Sequence, residues 1–306
     1  MTSMSRFWFV LKKHKALYLL MLPGILYYLI FKYLPMYGVV IAFQNFSIGR
    51  GVLGSKFVGM KHFVEFFVNT PDSWKLIRNT VMLNVYDLLF HFPAPVLLAL
   101  LFHELRIRWF KRFVQTISYM PHFLSTVVIA GILVTFLSPS TGVVNHILVK
   151  WFGIEPILFL GLPEWFRTIY VGSEIWQRVG WGTILYLAAI AGIDPTLYEA
   201  AKIDGANRFQ QIRHITFVGM VPVMIILFVL NLGNFMETGF QKILLLYNSM
   251  TYETADVINT FVYRRGILDA DFSFATAVGL FQSATGFVLV VLANRIARKY
   301  SETSLW

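Results

Sequence analysis

Six stretches of the 306-residue chain stay apolar for longer than a soluble helix needs, at roughly 16–41, 79–102, 113–137, 168–193, 214–236 and 274–294. A hydrocarbon layer about 30 Å thick takes on the order of 20 helical residues, and each stretch meets that length. Helices are the expected form, because backbone polar groups must find partners within hydrocarbon and these runs are too long and too uniformly apolar for barrel strands. The fifth and sixth are the strongest, with no charge until Glu237 and Arg295. The basic stretch Met1 to Lys15 leads straight into the first run. That run continues far past a signal-peptide core, contains Pro23 and Pro35 and lacks a small-residue cleavage site, so it reads as the first span. No internal repeat or low-complexity linker divides the chain. The expected architecture is an all-α membrane protein with six transmembrane helices in a single domain, 1–306.

Composition strengthens the pattern. Hydrophobic residues make up 57% and charged residues 14%, against about 25% charged in soluble globular proteins. The net charge of +10 could suggest nucleic acid, but the basic residues lie between apolar blocks and form no sustained run with interleaved aromatics. With no cysteine, disulfides, thiolate metal sites and a cysteine nucleophile are excluded.

The basic residues also give an orientation. Arg6, Lys12, Lys13 and Lys15 precede the first span; Arg106, Arg108, Lys111 and Arg112 fill the second loop; Lys202, Arg208 and Arg213 the fourth; Arg295, Arg298 and Lys299 follow the sixth. These alternating segments hold 14 of the 26 basic residues, and positive residues are retained on the cytoplasmic side. Both termini are therefore expected in the cytoplasm. The opposite loops, roughly 42–78, 138–167 and 237–273, are far longer than the usual connection of about 4–6 residues and are rich in Gly, Pro, Asn, Asp and aromatics.

The fourth loop is the most informative segment. Residues 194–222 read DPTLYEAAKIDGANRFQQIRHITFVGMVP. Asp194 can cap a helix with Pro195 at its first position, where a missing N–H is harmless. Tyr198, Ala201 and Ile203 offer apolar or small surface. Gly205 can end that helix and turn the chain into a second short one through Phe209, Ile212 and Ile215.

Here the chain resembles the permease subunits of binding-protein-dependent ABC importers, whose shared loop is Glu-Ala-Ala, three residues, Gly, then a later Ile and Pro. The matching residues are Glu199, Ala200, Ala201, Gly205, Ile215 and Pro222. One departure is Phe217-Val218, where the family usually has Leu-Pro. EAAKIDGA, the preceding IWQRVGWGTILYLAAIAGIDPTLY (175–198) and LPGILYYLIFKYLPMYGVVIAF (22–43) are similar to the carbohydrate branch, the last most of all to permeases for complex oligosaccharides or polysaccharide fragments. The resemblance implies a bacterial cell-membrane subunit that imports an oligosaccharide delivered by an extracytoplasmic sugar-binding protein, working with a second permease subunit and two ATPase subunits. It further implies that loop 194–213 is a cytoplasmic coupling helix between spans four and five, with Glu199, Ala200, Ala201, Asp204 and Gly205 meeting an ATPase. ATP and magnesium would be bound by those partners. The sequence has no G-x-x-x-x-G-K-[ST] loop and no Gly-Lys dipeptide, so this chain does not hydrolyse ATP by that route.

Ionisable residues within spans are costly and raise functional hypotheses. Asp87 and His91, and Glu174 and Arg178, lie four apart and share helix faces; each pair is either a structural bridge or part of a pathway. Sugars are held by aromatic stacking and by hydrogen bonds from amides and hydroxyls. Pathway candidates are Asn84, Tyr86, Asp87, Tyr119, His122, Trp176, Gln177, Asn231, Asn234 and Gln282, though for any single one helix–helix hydrogen bonding or ring packing is the commoner role. Ala275, Gly279 and Ser283 form a small-residue stripe expected to face another helix. The seven histidines show no metal-ligand spacing, and there is no G-x-S-x-G elbow. A secondary transporter would want broken helices and an ion site at matched positions in two halves. A membrane-embedded transferase or hydrolase would need a clustered acid, base or metal set.

Overall fold

The structure, a computed structural model, describes residues 13–300. Arg6 and Lys12 of the first basic segment lie outside the described residues. Among those described, four helices are long and apolar enough to cross a membrane, and the number rises to six if each of two bent pairs is one span. The chain divides into two compact units, Met1–Asn69 with Arg265–Leu280, and Thr70–Arg264 with Phe281–Trp306.

In the first unit, α1 (Lys15–Phe43) contains Pro35, which cannot donate to the helix ladder and crowds the preceding turn. The turn ahead of it, Leu29–Tyr33, widens to π-type bonding, and Leu34–Phe43 then tightens to a 3-10 form. Nothing from Lys15 to Tyr33 is buried. A helix that is apolar on every face suits a lipid surround or the side of another chain. Beyond it, β1 (Gln44–Asn45) pairs antiparallel with β2 (Lys56–Phe57). Arg265 bridges Glu65 at 3.1 Å and Asp271 at 3.0 Å, with its guanidinium 4.9 Å above the Phe274 ring.

The second unit holds α2 (Ser73–Glu104), α3 (Arg108–Phe123), α4 (Thr126–Phe136), α5 (Val143–Phe152), α6 (Pro163–Ala191), α7 (Pro195–Ile203), α8 (Arg208–Gly233) and α9 (Phe240–Leu246). It also holds the later part of α10 (Phe272–Lys299). Helix α6 is the hub. Near one end, Phe166, Tyr170 and Val171 pack with Leu83 of α2, Ala130 of α4 and Ile243 and Leu246 of α9. Near the other, Tyr186 and Ile190 meet Val96 and Ala99 of α2 and Met220 of α8. Buried Asn79 fastens the segment after α9 by donating to the carbonyls of Glu253 at 2.8 Å and Asp256 at 3.0 Å.

Two expectations need correction. The stretch 113–137 is not one helix: α3 and α4 meet at 103°. Pro121 restricts the chain, Leu124 and Ser125 are extended, and the Ser125 hydroxyl accepts from the Val128 N–H to start a new helix. The stripe in α10 is not a helix-packing face throughout. Ala275 abuts Gly266 in the turn before α10, Gly279 faces open space, and Ser283 is exposed. Close helix approach occurs at Gly286, where a Cβ would fall 2.4 Å from the Gly233 carbonyl oxygen. Packing between helices in lipid depends on such small residues.

Candidate functional site

Two places in the second unit gather the chemistry: a cavity among the helices and the loop between α6 and α8.

The cavity, about 530 Å³, owes its shape to prolines. Pro93 and Pro95 deprive α2 of two N–H donors, and the turn Asp87–His91 ahead of them is widened, with the Phe92 N–H reaching back to the Asp87 carbonyl at 3.2 Å. Asn84, Asp87 and His91 line the wall from this turn and the one before it. Helix α6 contributes Tyr170, Glu174, Arg178, Trp181 and Leu185, spaced three and four apart on one face. The far end of α8 adds Asn231 and Asn234, followed by Glu237, Thr238 and Gly239. From the break between α3 and α4, His122 stacks parallel to Trp181 at 4.5 Å.

Two carboxylates on this wall, Glu174 and Asp87, are each held by a basic side chain. Glu174, 5% exposed, holds Lys242 of α9 at 2.5 Å through one oxygen and Arg178 at 2.8 Å through the other. Lys242, 2% exposed, also donates to the Gln177 side-chain oxygen at 2.9 Å. The triad of Glu174, Lys242 and Arg178 therefore keeps one positive charge in excess, with Arg178 its exposed member. Asp87 and His91 lie 3.3 Å apart. Asn84 and Asn231 each donate to a carbonyl of their own helix, which leaves their amide oxygens free to accept.

Of the pathway candidates, Asn84, Asp87, His122, Asn231 and Asn234 line this cavity, together with His91, Glu174 and Arg178. The others do not. Tyr86 stacks on Phe90 and packs against the core; Tyr119 is half-buried; Trp176 is exposed away from the cavity. Gln177 braces Lys242 and donates to the Leu124 carbonyl. Gln282 donates to the Met236 carbonyl and to Asn259. Sequence reasoning missed Tyr170, Trp181 and Lys242. Trp181 was within reach, since it follows Glu174 and Arg178 on the same helical stripe. Lys242 gave only the signal of a lone cation in the apolar run FQKILLL.

The loop carries a helix built to stand by itself. The Asp194 carboxylate accepts from the Thr196 N–H at 2.9 Å, and this bond holds its carboxyl below the usual carboxylate range. Pro195 occupies the first helical position. At the other end Gly205 takes φ +76°; the Ala206 N–H reaches the Ala201 carbonyl at 2.8 Å and the Gly205 N–H the Lys202 carbonyl at 3.1 Å. That pair of bonds is a Schellman motif, which favours glycine at its left-handed position. Asn207 and Gln210 then form a reciprocal capping box at the start of α8. No residue of α7 is buried. Leu197, Glu199 and Ala200 are exposed, and Ile203 is 87% exposed, so the helix offers an apolar face that its own chain leaves uncovered.

Comparison with known proteins adds the following. The model of the family described as "Binding-protein-dependent transport system inner membrane component" matches residues 91–302. The polygalacturonan/rhamnogalacturonan transport system permease protein YteP of Bacillus subtilis (strain 168) is 46% identical over 294 residues, 96% of this chain and 91% of that protein. Protein LplB of the same organism is 46% identical over 296 residues, covering 97% and 92% respectively. Among solved structures, a chain of a bacterial alginate ABC transporter, in complex with its alginate pentasaccharide-bound periplasmic protein, is similar with a TM-score of 0.90 and 45% identity. The match covers 98% of this chain and 100% of that one.

Proposed function

The chain belongs to the binding-protein-dependent transport system inner membrane components, and from that membership we propose that it translocates an oligosaccharide by alternating access, driven by separate ATPase subunits. The whole chain, 1–306, acts as one transmembrane permease domain with both termini in the cytoplasm. A second permease subunit completes the pathway, two ATPase subunits bind ATP and magnesium, and a loaded extracytoplasmic binding protein docks on the long loops. The positive-inside distribution of Lys and Arg supports this orientation.

Helix α7 is the coupling helix. The observation that carries this reading is its solitary, doubly capped build, with Leu197, Glu199, Ala200 and Ile203 facing away from the chain and Gly205 setting the turn. Ala200 and Ala201 permit close approach of an ATPase groove, and Asp204 and Glu199 supply polar contacts at its rim. ATP-driven closure of the ATPases moves α7, and the energy enters as a difference in ATPase affinity for the two states of the permease, about 1.4 kcal/mol for each tenfold shift in population.

The sugar passes the cavity wall. Trp181, backed by His122, offers a stacking surface, and Asn84, Asn231 and Asn234 offer amide hydrogen bonds suited to hydroxyls. With Lys242 neutralising Glu174, Arg178 is placed to meet a carboxylate, so the substrate is an acidic oligosaccharide. In this respect it is like those named for YteP and the alginate transporter.

The test is ATPase activity of the reconstituted complex, stimulated by loaded binding protein, with Glu199 and Gly205 intact or replaced by Ala and Val. Loss of stimulation in an assembled complex supports coupling through α7. Normal stimulation and uptake after both replacements would remove it.

A further inference from the structure

Helix α7 is fastened on one side only. Its half-buried Tyr198 places the phenol oxygen 3.0 Å from the Thr216 hydroxyl, and Thr216 is fully buried within α8. Two further contacts secure the same end of α8. The Gln211 amide, itself buried, donates to the Ala206 carbonyl at 2.8 Å. The Ile193 side chain fills the notch over Gly219, where a Cβ would lie 2.5 Å from its Cδ1. The opposite connection, from α6, is a short turn through Gly192 and Ile193 at which the helices bend by 69°. Tyr198 and the Ala206 carbonyl thus tie α7 and the turn after it to α8, and Ile193 ties the α6 turn to the same helix. Helix α8 runs from Arg208 to Gly233, 26 residues, with a π-type turn at Ile212–Thr216 and Pro222 in its interior, and ends beside Asn231 and Asn234 on the cavity wall. From Thr216 to Asn231 such a helix carries an axial or tilting movement over about 23 Å.

We infer that the Tyr198–Thr216 hydrogen bond is the joint through which the loop helix drives the fifth span, so that Tyr198 is a positioning residue for transport. The inference rests on the coupling role proposed for α7. Around the joint, the His103 ring lies 6.1 Å from that of Tyr198, and Glu104 pairs with Arg208 at 3.7 Å. Both sit on the flank of Tyr198 that faces the end of α2, and neither bonds its hydroxyl among the described residues.

The experiment compares Tyr198→Phe, Thr216→Val and Thr216→Ser in the reconstituted complex, measuring ATPase retention, ATP hydrolysis stimulated by loaded binding protein, and oligosaccharide imported per ATP. Tyr198→Phe and Thr216→Val are expected to keep the ATPase subunits and the stimulated hydrolysis, while uptake per ATP falls about fivefold, the factor that matches one hydrogen bond's typical net worth. Thr216→Ser retains the hydroxyl and is expected to restore the ratio, and the double variant Tyr198→Phe/Thr216→Val to fall no further than either single. An unchanged ratio in both hydroxyl-deletion variants, or a parallel loss of hydrolysis and uptake, would overturn the inference. Absence of stimulated hydrolysis in the unmodified complex would instead overturn the coupling role on which it rests.

Discussion

The cavity wall and the loop helix treat exposure in opposite ways. On the wall, polar groups that would be costly in lipid are bonded to one another: Glu174 to Lys242 and Arg178, Asp87 to His91, Gln177 to Lys242. On α7, apolar side chains that would favour burial stand in the open. The first pattern describes a region whose stability is internal. The second describes a region whose stability is supplied by its caps and whose surface is left for another molecule. Substitutions in the two places should therefore separate folding from assembly.

The largest effect is expected from Lys242→Met. It leaves the buried Glu174 with a partner only at its exposed side, and breaking a buried pair costs about 3–5 kcal/mol. The apparent Tm of the purified complex should fall, and Glu174→Gln added to Lys242→Met should recover part of the loss. Gly205→Val comes next. A β-branched residue at φ +76° adds on the order of 1–3 kcal/mol of local strain, and stimulated ATPase activity should collapse with little change in the unfolding of the spans. Gly205→Asn, better tolerated in the left-handed region, should keep part of the activity.

Ile203→Asp tests the other half of the contrast. Stability should stay within about 0.5 kcal/mol, while ATPase subunits are lost on size-exclusion chromatography; a stable complex that retains its ATPases would break the distinction. Arg178→Ala should reduce uptake of an acidic oligosaccharide about tenfold more than that of its carboxyl-reduced counterpart, in the range of a charge-assisted hydrogen bond. The smallest effect is at Asp194. Its folded carboxyl titrates below the ordinary value of 3.8, so the capping contribution is fully present above that value and is lost as pH falls through the lowered one. Asp194→Ala should therefore weaken α7 equally from neutral pH down to about pH 5, read as faster amide exchange in its first turn.

The apolar runs made the spans legible because a bilayer imposes a minimum length on any helix that crosses it. The loop helix was legible for a different reason. Asp194-Pro195 and Gly205 are local signals whose geometry needs no tertiary partner, and the caps and the left-handed glycine stand where those residues are. The break at Pro121–Ser125 was hidden because hydrophobicity continues across it, and a hydropathy pattern reports the surround of a segment and not its direction. Lys242 was hidden more deeply. Its partner Glu174 is distant in sequence, so each looked like an isolated charge, one in a span and one in a loop. The Gly286–Gly233 approach was missed, and the Ala275, Gly279, Ser283 stripe expected to pack instead, because spacing alone does not say which small residue meets a neighbouring backbone.

The Glu174–Lys242 pair has a further consequence, in the order of biogenesis. Glu174 is synthesised with α6, while Lys242 is synthesised only after α8 has followed. Until α9 folds back, the nascent protein carries a carboxyl group in its interior without that counter-ion. The docking of α9 thus completes the pairing of Glu174, and a chain stalled before it would hold that buried carboxylate through Arg178 of its own helix and not through Lys242.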